Sequence, residues 1–296
     1  DFGSSQMWWN NGDGTFAEGR QAAGVGTDQN GMGLAIADLD RDGRLDVFVS
    51  SFDIQSGGVL VSGNRLYRNL GDRRFEDVTR TWGVIESDWA WGSVFFDPNN
   101  DGHLDLLVTN GYSYTAPPSQ PRPPYHIADA RADRTRFFLN RGTPPMSEVG
   151  TAWGVTDTGL RHGVAVLDFD NDGDEDVLVA NLYGPWILYR NDAAQRGSWL
   201  RIRFTGTASN RAGYGTLVRA TTGGVTQTAL YAPTNAMIGQ REPVLHFGLG
   251  TATKVDRLVV EWPSGAKQES TDVAVDQVLV LVEPDAVSVT GEDLSS

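Results

Sequence analysis

The chain has 296 residues, no cysteine and a formal net charge of −14, from 24 basic against 38 acidic residues. That length buries a sizeable core and suits two domains, while the missing thiols exclude disulfides, thiolate zinc sites and a cysteine nucleophile. The acidic balance leaves no basic footprint for DNA or RNA, and no run approaches the roughly 18 apolar residues that span a bilayer, so neither nucleic acid nor a membrane span is expected.

In chain order, Met7-Trp8-Trp9-Asn10-Asn11-Gly12-Asp13-Gly14-Thr15-Phe16 reads as strand, turn and strand, closing at Ala23-Gly24-Val25. A short apolar strand, Gly33 to Ala37, then enters an acidic loop, Asp38 to Asp46, and Val47-Phe48-Val49 leaves it. Further strands are expected at Asn64-Arg65-Leu66-Tyr67-Arg68-Asn69 and around Phe75, with a close at Trp82-Gly83-Val84. The pattern repeats with a loop from Asp97 to Asp105, a strand at Arg136 to Asn140 and a close at Trp153-Gly154-Val155. A third copy has its loop at Asp168 to Asp176 and a strand from Trp186 to Asn191. Residues 113–135 interrupt the second copy with five prolines and several arginines; the first reading is a tolerated surface loop, and the other is a ligand or partner groove beside Tyr112, Tyr114, Tyr125 and His126. After Asn191 the acidic loops stop, and strands at 199–204, 217–220, 244–247, 258–262 and 278–282 predict an antiparallel sandwich, followed by an acidic tail with a short strand at Val287-Ser288-Val289.

The three loops share one grammar. Oxygen side chains stand at positions 1, 3, 5 and 9: Asp38, Asp40, Asp42 and Asp46; Asp97, Asn99, Asp101 and Asp105; Asp168, Asp170, Asp172 and Asp176. Carboxylates this crowded repel one another unless a hard cation sits among them, and Ca²⁺ takes about six to eight oxygen ligands. Glycine at position 6 allows the bend that turns the position-7 backbone carbonyl, of Arg44, His103 or Asp174, toward an ion. An EF-hand would close with Glu at position 12; here that position is Val49, Val108 and Val179, and the flanks read as strands. One such loop is usually a solvated turn, but three in one register predict three Ca²⁺ sites. Three ions would bring the net charge from −14 to −8.

About four strands per copy, with first aspartates 59 and 71 residues apart, is the spacing of propeller blades. The recurring Trp8, Trp9, Trp82, Trp91, Trp153 and Trp186 are expected between blades, with carbohydrate stacking as the other reading. The expected organisation is about three and a half blades over residues 1–195 with N-terminal blades missing, a β-domain over 196–284 and a tail over 285–296.

The loops with Leu66-Tyr67-Arg68-Asn69 resemble FG-GAP/VCBS repeats, the blades of integrin-α-like propellers. Ser209-Asn210-Arg211, Gly213 to Gly215, Leu245 to Gly250, Val255-Asp256 and Glu261-Trp262-Pro263-Ser264-Gly265 resemble the ASPIC/UnbV domain. The pairing is typical of proteins similar to cartilage acidic protein. The resemblance implies an all-β fold, a calcium-binding extracellular propeller followed by a small β-domain, with the loop oxygens named above as ligands. The chain lacks the cysteine-rich module of animal members.

Catalysis has no local signature. Of the histidines His103, His126, His162 and His246, His103 sits at a loop carbonyl position and His246 in a strand motif, neither with a nucleophile or acid at a telling spacing, and no Gly-x-Ser-x-Gly elbow, HExxH helix or phosphate-cradling loop occurs. The expectation is a non-catalytic extracellular scaffold or adhesion module, secreted or at the cell surface, where calcium is plentiful. Open blade edges make self-association into oligomers or filaments the expected partnership, alongside a protein or carbohydrate ligand. A carbohydrate-binding or glycan-active propeller is the alternative, since catalytic carboxylates leave no sequence motif.

Overall fold

The computed structural model describes residues 4–52, 54–56, 59–86, 88–113, 130–193, 196–232 and 238–284. The expected groove residues Tyr114, Tyr125 and His126 and the tail strand Val287-Ser288-Val289 lie outside them. Regular structure in the described chain is nearly all β-strand, in sheets set side by side like propeller blades.

A two-stranded ladder of β1 (Trp8–Asn10) and β2 (Phe16–Glu18) precedes the short helix α1 (Arg20–Ala23). The first full blade comprises β3 (Gly31–Ala37), β4 (Asp46–Ser51), β7 (Arg65–Gly71) and β8 (Arg74–Asp77), paired in that order. Between β4 and β7 a separate hairpin of β5 (Ile54–Ser56) and β6 (Val59–Ser62) is inserted, and α2 (Thr79–Trp82) closes the blade. The second blade is β9 (Ala90–Phe96), β10 (Asp105–Asn110), β11 (Arg136–Leu139) and β12 (Ser147–Glu148). The third has three strands, β13 (Arg161–Leu167), β14 (Asp176–Asn181) and β15 (Ile187–Tyr189).

Successive side chains of a strand point to opposite faces, and a blade between two others must be apolar on both. The second blade follows this rule residue by residue. Phe95, Leu106, Val108 and Phe138 join Phe48 and Leu66 of the first blade in one core. Their immediate neighbours Val94, Phe96, Leu107 and Phe137 join Val164, Val166, Val177 and Val179 of the third. The unbroken apolar runs of these strands are therefore a record of burial on two faces.

The C-terminal region forms two packed sheets. One is β19 (Leu245–Gly250), β16 (Ser198–Thr205) and β22 (Gln277–Val282); the other is β18 (Val225–Leu230), β17 (Leu217–Thr222), β20 (Lys254–Glu261) and β21 (Lys267–Ala274). They enclose a core that includes Leu200, Ile202, Val218, Phe247, Leu258 and Trp262. The pair β16–β22 is parallel, where an antiparallel sandwich was expected. Period-two alternation marks which face is buried and is silent on the direction of a neighbouring strand. The strands β18 and β21 also escaped the sequence reading, because their polar residues give weak alternation.

The tryptophans divide. Trp82 is buried between the first and second blades, with Met146 N–H donating to its carbonyl at 3.0 Å, and Trp91 stacks on His162 at 4.0 Å. Trp8, Trp153 and Trp186 are exposed by 56%, 43% and 70%, which corrects the expectation that all six pack between blades. The reason for Trp153 is local: it repeats Trp82, but among the described residues the third blade has no fourth strand to cover it. Trp82→Ala should therefore cost about 3–5 kcal/mol in denaturant unfolding and Trp153→Ala well under half of that.

Candidate metal centre

All three acidic loops join the first two strands of a blade, and position 9 is the first residue of the second strand in each. The register pairs Ala37 with Asp46, Phe96 with Asp105 and Leu167 with Asp176. Position 4 takes the left-handed conformation every time, with φ of 60° at Arg41, 54° at Asn100 and 61° at Asn171. Position 6 does so as well, with φ of 85°, 83° and 96° at Gly43, Gly102 and Gly173. Two left-handed residues so close curl the backbone around the first aspartate.

The first aspartate is the hub. The position-6 amide donates to its Oδ2 at 3.1 Å for Asp38, 2.7 Å for Asp97 and 3.0 Å for Asp168. Asp101 N–H and Asp172 N–H each donate to Oδ1 of the hub at 3.1 Å. The fifth residue orients the seventh, through Asp42, Asp101 and Asp172 Oδ1 accepting from Arg44, His103 and Asp174 N–H. Carboxylate oxygens of Asp38, Asp40 and Asp42 lie within 4.8 Å of one another, as do those of Asp168, Asp170 and Asp176. In the second loop Asn99 takes position 3 and donates from Nδ2 to Asp101 at 3.0 Å.

Position 9 does more than close the loop. Asp46, Asp105 and Asp176 each accept the backbone N–H of an asparagine near the end of the third strand or just past it: Asn69 at 2.8 Å, Asn140 at 2.6 Å and Asn191 at 2.7 Å. Those asparagines in turn donate from Nδ2 to the carbonyl of position 8, Leu45, Leu104 or Glu175. The recurrence of Asn at this place is visible in the sequence, but its role is not. Glu175 is the other missed residue. It replaces Leu at position 8, is buried, and accepts Asp97 N–H from the neighbouring blade at 2.8 Å while pairing with Arg241. The break in the Leu45, Leu104 pattern was its signal.

The residues fit a hard cation. Asp38 Oδ1 and Asp105 Oδ2 are buried with no hydrogen-bond partner, an arrangement that costs free energy unless a cation supplies the missing interaction. Burial pushes Asp38 up to about 6 and Asp46 up to about 7. Burial likewise raises Asp97 and Asp105 well above the ordinary range and Asp174 to about 7. Glu175 goes the other way: burial raises it, but the charges of Arg241 and His246 outweigh burial and hold it low. Arginines supply part of the balance, with Arg68 Nε 2.6 Å from Asp40 and Arg196 Nη1 2.6 Å from Asp172.

Residues 1–49 and 55–108 match the FG-GAP-like repeat family, and residues 206–288 match the ASPIC and UnbV family. The third loop lies outside the matched repeats and joins them by its geometry alone. Over 287 residues the chain is 26% identical to cartilage acidic protein 1 of Homo sapiens, covering 92% of this chain and 39% of that protein. Against cartilage acidic protein 1 of Mus musculus it is 25% identical over 296 residues, covering 95% and 41%. The chain thus spans about two fifths of the length of these relatives. It is an FG-GAP-like repeat protein with an ASPIC/UnbV domain, homologous to cartilage acidic protein 1.

Carboxyls that hold protons more tightly folded than unfolded favour folding at low pH, and that advantage disappears as pH rises through the folded value. For Asp38, Asp46 and Asp174 the window runs from about 4, the unfolded value, to about 7. Calcium-stripped protein should therefore lose thermal stability from pH 4.5 to 7.5, at about 1.4 kcal/mol for each tenfold difference in proton affinity. Excess calcium should flatten the slope, since the bound ion favours the ionised forms; differential scanning calorimetry across this range reads both.

Proposed function

We propose that this protein is a non-catalytic, extracellular, calcium-binding propeller that serves as a scaffold or adhesion module and associates with copies of itself. The observation that carries the reading is the pair of partnerless buried oxygens, Asp38 Oδ1 and Asp105 Oδ2, inside loops of one register. Asp38, Asp40, Asp42 and Asp46 would hold the first ion with the Arg44 carbonyl. Asp97, Asn99, Asp101 and Asp105 would hold the second with the His103 carbonyl, and Asp168, Asp170, Asp172 and Asp176 the third with the Asp174 carbonyl. An all-oxygen set of this kind suits Ca²⁺ and supplies no redox chemistry. The ion's role here is to neutralise the loops and fix their curl.

Calcium outside cells is abundant enough to fill sites of modest affinity. Relatives named for cartilage and for acidity agree with an extracellular setting. No helix among the described residues is long and apolar enough to cross a membrane. Self-association is supported by the third blade, whose outer strand β15 is an open edge beside the exposed Tyr183 and Trp186.

Metal analysis should find three calcium ions per chain. Each site adds about 2.7 kcal/mol when free calcium is a hundredfold above Kd. Removing calcium should lower the melting temperature sharply, with millimolar Ca²⁺ restoring it and Mg²⁺ doing so poorly; equal melting with and without a chelator sinks the reading. Sedimentation velocity tests association separately: a concentration-dependent oligomer is expected, and Tyr183→Ser with Trp186→Ser should return it to a monomer.

A further inference from the structure

The C-terminal domain is seated on the loop end of the blades, and it touches every loop at its hub. Thr228 of β18 brings its buried hydroxyl beside the Asp38 carboxylate, near enough to ease its charge but without a formed hydrogen bond. Gly248 of β19 lies so close to Asp97 that a Cβ there would stand 1.9 Å from Oδ2 and 2.7 Å from the Cα of Asn100. Arg201 of β16 places Nη1 2.6 Å from Asp168 Oδ2, with both side chains almost fully buried. Around the second loop, Gly250 N–H donates to the Asn100 carbonyl at 2.7 Å, Gly197 N–H to the Asn99 carbonyl at 3.1 Å, and His246 Nε2 meets Asn100 Oδ1 at 2.7 Å.

The domain also stands where a next blade would. Asp97 N–H is accepted by Glu175 of the following blade at 2.8 Å. Asp168 N–H, at the same place one blade on, is accepted by Glu242 of the C-terminal domain at 3.2 Å. Glu242 N–H donates in turn to the Val166 carbonyl of β13 at 3.1 Å.

We infer that the ASPIC/UnbV domain positions the metal loops, with Thr228, Gly248 and Arg201 each serving a different one, so that calcium binding and docking of this domain reinforce each other. The inference rests on the loops being calcium sites. Its physical basis is shared contact. A hub carboxylate held by the domain is pre-set for an ion, and an ion that fixes the loop backbone fixes the surface the domain sits on. Arg201, Thr228 and Gly248 are positioning residues and touch no ion. Linkage makes the effect reciprocal: whatever factor docking adds to calcium affinity, calcium adds to docking.

Peptide-resolved hydrogen exchange during a calcium titration of the full chain follows residues 38–46, 97–105 and 168–176 separately. Thr228→Val, Gly248→Ala and Arg201→Met should each raise the calcium midpoint of one loop, the first, second and third respectively, about tenfold. The other two loops should stay within about twofold in each case. Arg201→Lys, which keeps the charge, should recover part of the loss. Calcium removal should also expose residues 225–230 and 245–250 to exchange faster than the blade strands.

Unchanged midpoints in all three variants would overturn the inference. So would all three loops shifting together in every variant, the mark of general loosening. If Gly248→Ala does not fold, Thr228→Val decides, since it removes one hydroxyl at constant volume. A parent chain that binds no calcium overturns the reading of the loops and this inference with it; a parent with three sites insensitive to the variants overturns this inference alone.

Discussion

An ionised carboxylate taken out of water costs several kcal/mol unless something of opposite charge or strong dipole meets it. This fold takes out the first aspartate of three neighbouring loops at once: Asp38, Asp97 and Asp168 are all buried. The curl of each loop answers that demand with backbone amides, which the two left-handed residues aim inward at the hub. Amides are dipoles and supply no net charge, so eleven acids at the ligand positions still face one another at the same end of the molecule. The arginines that reach them leave Asp38 Oδ1 and Asp105 Oδ2 without a partner. Divalent ions at the loops, as proposed above, would supply the charge that balances this arrangement.

The parts of the sequence that repeat were legible; the parts that join one repeat to another were not. Loop oxygens, position-6 glycines and the strands before and after each loop could be named from spacing, because a tight curl around a buried carboxylate tolerates few residue types at fixed places. The runs Val94-Phe95-Phe96 and Leu106-Leu107-Val108 were read as buried strands, and the structure gives the reason in two cores that claim alternate residues. What spacing could not show was which residue of one unit meets which residue of the next. Glu175, Arg201 and Glu242 lie 74 or more residues, or a domain, away from partners such as Asp97 and Asp168. Nothing local in the chain marks such contacts, beyond the oddity of a glutamate where two other loops carry leucine.

The tryptophans show how the same motif acquires different environments. Trp82-Gly83-Val84 and Trp153-Gly154-Val155 are near-copies, yet Trp82 is covered by the second blade's Met146 segment and Trp153 is half open. A cavity of about 330 Å³ lies beside Trp153, lined by Phe137, Val177 and Tyr189, in keeping with a third blade that has three strands among the described residues. Sequence identity at a repeat position therefore predicts backbone shape well and burial poorly, because burial belongs to the neighbour.

The same logic explains why a domain with no acidic loops ends a row of blades that have them. A terminal repeat presents an apolar face and unmet backbone groups, and solenoid-like arrays need a cap with different outer chemistry. Here the cap meets the third blade through a glutamate in the position that a following blade would provide, and then through an arginine that a blade lacks. Glu242 continues the pattern, accepting Asp168 N–H as Glu175 accepts Asp97 N–H, and Arg201 breaks it by bringing positive charge to a hub. The charge has a physical reason: half-buried Glu242 and buried Asp168 would otherwise be two acids side by side with nothing to balance them. Arg201 pairs with both and turns a repulsive end into a docking site. In this way the acidic repeat dictates the chemistry of the domain that can terminate it.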